Sequence, residues 1–235
     1  DTVTTARVRG VIASAIASTS SWYSDVVGTG TGTAPAMTTA AEIQLDIANG
    51  TLLLVRRPPL ATYDDDHPDA VAVRTAWAHI RDDLLRREHW NFATGWVRPS
   101  ASTTANLGPL AIRYPLPGEC LKVRFVQDLA EDEWAIEAGG ADSGTAMVLV
   151  TNASAPLVCY TKRVTDAQLW DPAFVQAFKT ALAAEIAPAV AGSYSIGQAL
   201  DAKADGRRQN AARTDAREKA PQQISRNTSW LAARR

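Results

Sequence analysis

The stretch from Asp69 to Ala93, DAVAVRTAWAHIRDDLLRREHWNFA, decides the fold. Val73, Trp77, Ile80 and Leu84 recur at spacings of four, three and four, the apolar stripe of an amphipathic helix over 69–89. Arg74, Arg81, Asp82, Arg86 and Arg87 fall mostly off that stripe and are expected in solvent or against a partner. After His89 the helical period stops. Trp90 and Phe92 are expected to cover the helix end, each burying a large area. Asn91 between them can satisfy orphan helix carbonyls.

Downstream, over 91–165, the period shortens to two. Ala111–Tyr114, Leu121–Val126, Glu133–Ile136, Ala146–Val150 and Pro156–Tyr160 are short β-like runs separated by turn-rich pieces such as Gly139–Gly144. Leu121, Val123 and Phe125 alternate with Lys122 and Arg124, which predicts one buried face and one wet face. Pro115 and Pro117 stiffen the entry into that strand. The expectation is a small antiparallel sheet inserted between helices.

The flanks are helical. Over 40–57, Ile43, Ile47 and Leu54 share a face, Thr38 or Thr39 can cap, Glu42 sits in the first turn, and Pro58 ends the run. Over 172–190, Asp171 and Pro172 form a strong start, and Phe174, Phe178, Leu182 and Ile186 make a stripe that Pro188 kinks or ends. A fourth helix over 194–219 begins with Ile196 and Leu200, then fades into Ala, Arg and Gln, as if leaving the core. The order predicts an α+β domain: a bundle of about four helices over 39–220 carrying the β insertion. Trp77, Leu84, Trp90, Asn91, Phe92, Pro117, Leu121, Asp171, Phe174 and Phe178 are read as its fold determinants.

Two arms frame this domain. Residues 1–38 are rich in Ser, Thr, Gly and Ala, with Trp22 and Tyr23 as the large anchors. Arg7 and Arg9 before Val11–Ala17 imitate a secretory signal in outline, but the apolar part is short and rich in Ala and Ser, so cleavage is not expected. Residues 221–235 form a C-terminal arm with one apolar anchor, Trp230-Leu231. Among 235 residues the net charge is −1, which argues against general nucleic-acid binding by bulk charge. Residues 201–235, however, hold nine basic residues against four acidic ones and carry +5, leaving −6 for residues 1–200. Cys120 and Cys159 lie in β-like runs; two buried thiols are the expectation and a bridge is the alternative. No apolar run reaches the ~18 residues of a membrane span.

Motifs for chemistry are sparse. The three histidines, His67, His79 and His89, lack metal-ligand spacing, and there is no GxSxG, phosphate loop or dinucleotide fingerprint. Gly28–Thr33 matches a phosphate loop only in glycine content. Asp64, Asp65 and Asp66 could hold a hard cation, or supply paired carboxylates with Glu88 for glycoside cleavage, but a solvated turn explains them as well. No catalytic, metal or cofactor site is assigned.

Three stretches then carry a resemblance. They are Ile43–Asn49 continuing to Pro58-Pro59-Leu60, Ala76-Trp77 with Ile80–Ala93, and Tyr114–Val123 with its Leu-Pro-x-x-Cys-Leu strand entry. In that order and spacing the chain resembles the head-to-tail adaptor family of tailed bacteriophages, often called tail tubular protein A. Tyr160-Thr161, Val164–Asp166, Trp170–Phe174 and Leu182–Ala187 resemble the same family's return helix. The likeness spans roughly residues 40–220. Family members often place Leu-Gly near the end of the first helix, where this chain has Val55-Arg56-Arg57.

The resemblance implies a structural virion protein of the neck, assembled in the host cytoplasm. It implies a homo-oligomeric ring of twelve copies beneath the portal. Such a ring prolongs the DNA channel, lets genomic DNA pass without sequence-specific binding, and docks the next tail component, whether nozzle, stopper or tail tube. No membrane is implied. C-terminal segments of such adaptors reach onto the portal, so Arg207, Arg208, Arg213, Arg217, Arg226, Trp230, Leu231, Arg234 and Arg235 become candidate portal contacts. Alternatives are another connector or stopper of the neck, a virion-associated hydrolase of cell-wall glycan, or a DNA-binding module built on the basic tail.

Overall fold

Thr39 and Glu42 start the first helix with a reciprocal cap. Glu42 N–H donates to Thr39 Oγ1 (3.3 Å) and Thr39 N–H donates to Glu42 Oε2 (2.7 Å). In the computed structural model, residues 39–104, 106–140 and 144–218 are described. The arms expected at 1–38 and 221–235, with Trp22, Tyr23, Arg226, Trp230, Leu231, Arg234 and Arg235, lie outside the described residues.

The described residues form four helices: α1 (Ala40–Leu54), α2 (Pro68–Arg87), α3 (Pro172–Ala191) and α4 (Tyr194–Glu218). The β region between α2 and α3 has six strands: β1 (Thr94–Val97), β2 (Ile112–Pro115), β3 (Cys120–Val126), β4 (Trp134–Gly140), β5 (Gly144–Thr151) and β6 (Val158–Lys162). Short 3-10 turns at Asn91–Ala93 and Ala167–Leu169 join the two regions. The α+β class with a helical bundle is as the sequence predicts.

Several boundaries differ, for local reasons. The first helix stops at Leu54 rather than 57. Arg57 N–H returns to Leu52 C=O (2.9 Å), Arg56 N–H to Leu53 C=O (3.1 Å), and Arg56 takes φ 59°. This is a left-handed helix stop that usually takes glycine. Arg57, thus turned out of the helix, donates from Nε and Nη2 to the two carboxylate oxygens of buried Asp69 (2.8 and 3.2 Å), tying the exit of α1 to the start of α2. The second helix is 68–87, not 69–89, because Pro68 occupies its first turn and Glu88 is already extended. In the third, Asp171 Oδ1 accepts from the N–H groups of Ala173 (2.7 Å) and Phe174 (3.2 Å), as expected of its cap. Pro188 neither ends nor bounds that helix. It continues to Ala191 and closes at Gly192, at φ 61°.

Pro188 has no N–H to offer the carbonyl of Ala184. α4 passes close at this point: a Cβ on buried Gly197 would lie 3.2 Å from that carbonyl oxygen and 3.7 Å from Pro188 Cδ. A glycine in α4 therefore lets the two helices meet where α3 lacks a hydrogen bond. By length and composition α3 could cross a membrane, which the count of uninterrupted apolar residues did not flag. In the fold it is the central helix, packed against α1, α2 and α4.

The insertion holds two sheets, not one. β1-β6-β3 and β2-β5-β4 are each three-stranded and antiparallel. The sequence reading missed β1, whose Gly95-Trp96 gives no apolar alternation. The predicted alternation in β3 is also broken. Register shifts fall between Cys120 and Lys122 and between Val123 and Phe125. Leu121 consequently joins the bundle core, Val123 joins a separate β core with Tyr114, Leu149 and Tyr160, and Arg124 is half-buried instead of wet.

Gly95 lies opposite Tyr160, and a Cβ there would sit 2.6 Å from the Tyr160 ring. Tyr160 is held by β6 and by its hydroxyl, which donates to Glu119 Oε1 (3.0 Å). Gly95→Ala is therefore expected to cost about 1–3 kcal/mol through overpacking, measured by denaturant unfolding. Gly95→Ala combined with Tyr160→Leu should recover part of that loss.

Both cysteines are buried and neither is in a disulfide, and burial pushes the Cys120 thiol up to about 11. The thiolate is the reactive form, so Cys120 should react with a disulfide reagent at pH 8 about 100-fold more slowly in the native chain than in denaturant. Denaturation should release both thiols; a fast native Cys120 would contradict this burial.

Candidate partner-binding surface

Trp90, Asn91 and Phe92 join the helical and β regions through identifiable bonds. The last turn of a helix leaves carbonyls without partners inside the helix. Trp90 Nε1 donates to Leu84 C=O at 2.9 Å. Arg124, arriving from β3, donates to Leu85 C=O (3.0 Å), to Glu88 C=O and to Thr161 Oγ1 (2.6 Å). Arg86 reaches back from α2 to Leu121 C=O (2.8 Å). Burial lowers the Arg124 guanidinium from its ordinary value, with the carboxylate of Glu88 acting in the opposite sense.

Asn91 does cap a helix, but a different one from that read in sequence. Its Nδ2 donates to the carbonyl of Asp215 in α4 (2.5 Å), and its backbone N–H donates to the Asp215 carboxylate (2.9 and 3.2 Å). Asp215 is buried, as is Ala211 one turn earlier. The fourth helix thus stays on the domain through Asp215, contrary to the expectation that it leaves the core. Its small alanines still pack because the helix lies close to its neighbours.

This placement divides the basic residues of α4. Arg207 Nη1 donates to Thr180 Oγ1 (2.6 Å), and Arg208 pairs with Glu88 and with Asp205 (3.2 Å). Both are half-buried parts of the fold. Arg213 and Arg217, with Lys203, remain on the exposed side. Of the off-stripe residues in α2, Arg81 is buried and bound to Asp82 (2.8 Å), and Arg74 donates to the carbonyls of Tyr63 and Asp65 (both 2.7 Å). For these two the expectation of solvent or a partner is corrected: Arg74 holds the loop before α2 and Arg81 is bound within the helix, whereas Arg86 and Arg87 are exposed as expected.

Seven of the ten fold determinants read from sequence gather in one cluster. Trp77, Leu84, Trp90, Leu121, Phe174 and Phe178 are buried in the bundle core, and Phe92 packs against it half-buried. Trp90 meets Phe174 edge-on at 5.0 Å, and Trp77 meets Phe178 at 4.9 Å. Pro117 is half-buried, and its carbonyl accepts from Cys120 N–H (2.8 Å), closing the turn into β3. Of the carboxylates considered for cleavage, Asp64 and Asp66 are exposed and Glu88 is bound by Arg208. Among the described residues no group of three or more His, Cys, Asp or Glu could hold a metal ion.

A groove of about 330 Å³ runs between α2, α3 and α4. Its floor is Ile80, Leu84, Ala184 and Pro188, and its walls carry Asp83, Glu185, Asp201 and Asp205. Tyr194, 77% exposed, stands on its rim. Arg87, also on the wall, is bound to Asp83 (2.7 Å) and is raised above its ordinary value by that bond, then by Asp205 and Asp201. The sequence offered no signal for this groove, since its acids come from three helices. No protein-family model and no curated protein matches the chain.

Proposed function

We propose that this protein is a structural head-to-tail adaptor of a tailed bacteriophage. It would assemble as a ring of about twelve copies on the portal, continue the DNA channel and receive the next tail component. The observation that carries the proposal is convergence. Three of the stretches that resemble the adaptor family are far apart in sequence, yet they meet at one junction: Arg86 on Leu121 and Trp90 on Phe174. A motif set whose members support one another specifies a shared framework better than any one of them alone.

The exposed Arg213 and Arg217 of α4 lead into residues 219–235, which carry Lys219, Arg226, Arg234 and Arg235 and no acidic side chain. A basic segment with one aromatic anchor suits a partner surface that supplies a pocket and an acidic rim. Trp230 is the proposed anchor, with Arg226, Arg234 and Arg235 as rim contacts.

Native mass spectrometry of the chain mixed with the cognate portal ring tests the reading. The expected result is about one copy per portal subunit. Trp230→Ala, and separately removal of residues 226–235, should each weaken docking at least tenfold while leaving the unfolding midpoint unchanged. A bare portal beside a monomeric chain would sink the adaptor assignment. Undiminished docking by the truncated chain would remove the role of the arm.

A further inference from the structure

The groove between α2, α3 and α4 combines an apolar floor, an exposed Tyr194 on its rim and an excess of acid on its walls. Asp83 is matched by Arg87 and Asp205 by Arg208, so Glu185 and Asp201 remain as exposed wall carboxylates beyond those pairs. An occupant that fits must bring an apolar side chain of good size between positive charges. Residues 219–235 have that composition. Trp230 and Leu231 supply the apolar part, and Arg226, Arg234 and Arg235 flank them.

We infer that in the free chain, before any partner is engaged, the segment 219–235 folds back along α4 and seats Trp230 in this groove, with its arginines against Glu185 and Asp201. The reach suffices. From Glu218 back to Asp201, α4 rises about 25 Å at about 1.5 Å per residue. The residues between Glu218 and Trp230 can span about 35 Å when extended. Pro221, two residues after Lys219, suits a reversal of direction because it cannot continue the helix. Seating Trp230 removes its indole from water, and the low-dielectric floor strengthens the flanking charge pairs.

The latch goes beyond the adaptor reading and does not need it. If both hold, the arm must leave its own groove before it can reach a portal, and a competing site of this kind lowers apparent affinity by the fraction of chains in the open form.

Photocrosslinking of the full chain tests it. A benzophenone amino acid is placed at Trp230, the dilute protein is irradiated without portal, and adducts are mapped by mass spectrometry. The expected product has the mass of one chain and is linked to residues of the groove. Glu185→Lys together with Asp201→Lys, both exposed positions, should cut its yield about tenfold while circular dichroism stays unchanged. No adduct, an adduct elsewhere, a product of two chains, or an undiminished yield in the double variant would each overturn the latch. A chain that fails here yet saturates the portal loses the latch alone; one that latches yet leaves the portal bare loses the adaptor reading alone.

Discussion

Replacing Trp90 by alanine is expected to lower the free energy of unfolding by about 3–5 kcal/mol, the usual range for a large aromatic residue in a packed core. Two losses combine. The indole is 1% exposed and lies edge-on to Phe174 at 5.0 Å, with Phe92 at 6.1 Å, so its removal opens a cavity that two other rings line. The Leu84 carbonyl also loses its donor. Trp90→Phe keeps one aromatic ring but removes the N–H and part of the indole, so it leaves a smaller cavity beside an unsatisfied buried acceptor; its expected cost is about 1–3 kcal/mol. Urea denaturation followed by far-ultraviolet dichroism measures both. If Trp90→Ala cost less than Trp90→Phe, the packing account of this junction would be wrong. Because Phe174 belongs to α3 and Leu84 to α2, the loss should loosen the bundle as a whole and not just the loop that carries Trp90.

The second large effect is expected at Arg124. Arg124→Met keeps the stem length but removes the donors to Leu85 C=O, Glu88 C=O and Thr161 Oγ1. Hydrogen bonds from a charged group contribute about 1.5–3 kcal/mol each, and the neighbours can relax toward water in part, so a net loss of about 3 kcal/mol is expected. Arg124→Lys should recover little of it. An ammonium is a single point of charge, whereas these acceptors lie on both α2 and β6 and require the planar fork of a guanidinium. Hydrogen exchange then distinguishes a local role from a general one. In Arg124→Met the last turn of α2 and the β3–β6 pair should lose protection first, with the α3 interior losing it only as global stability falls. Uniform loss from the outset would mean that Arg124 does not specifically join the two regions.

The two residues illustrate different degrees of legibility. Trp90 was readable because a helical stripe stops just before it and an aromatic pair brackets Asn91; local pattern and burial agree. Arg124 was not readable. In a regular strand the alternation of Leu121, Val123 and Phe125 would turn it to water, and only the two register shifts in β3 redirect it toward α2. Likewise Asn91 was legible as a cap but its helix was not, because Asp215 lies 124 residues away. Arg207 and Arg208 look like Arg213 and Arg217 in sequence. The packing of α4 on α3 decides that the first pair is occupied within the fold and the second pair is exposed.

The sequence by itself determined the four helices, their order, the capping of α1 and α3, the aromatic core and the presence of a β insertion. These features follow from period, cap chemistry and proline placement, which act over a few residues and so are written locally. The tertiary structure alone decided that the insertion is two sheets, that α3 passes through Pro188, that α4 remains docked to Asp215, and that the acids of three helices line one groove. Each of these depends on groups brought together from distant positions, where a bulge, a missing N–H or a buried carboxylate is tolerated because a partner from another element compensates for it.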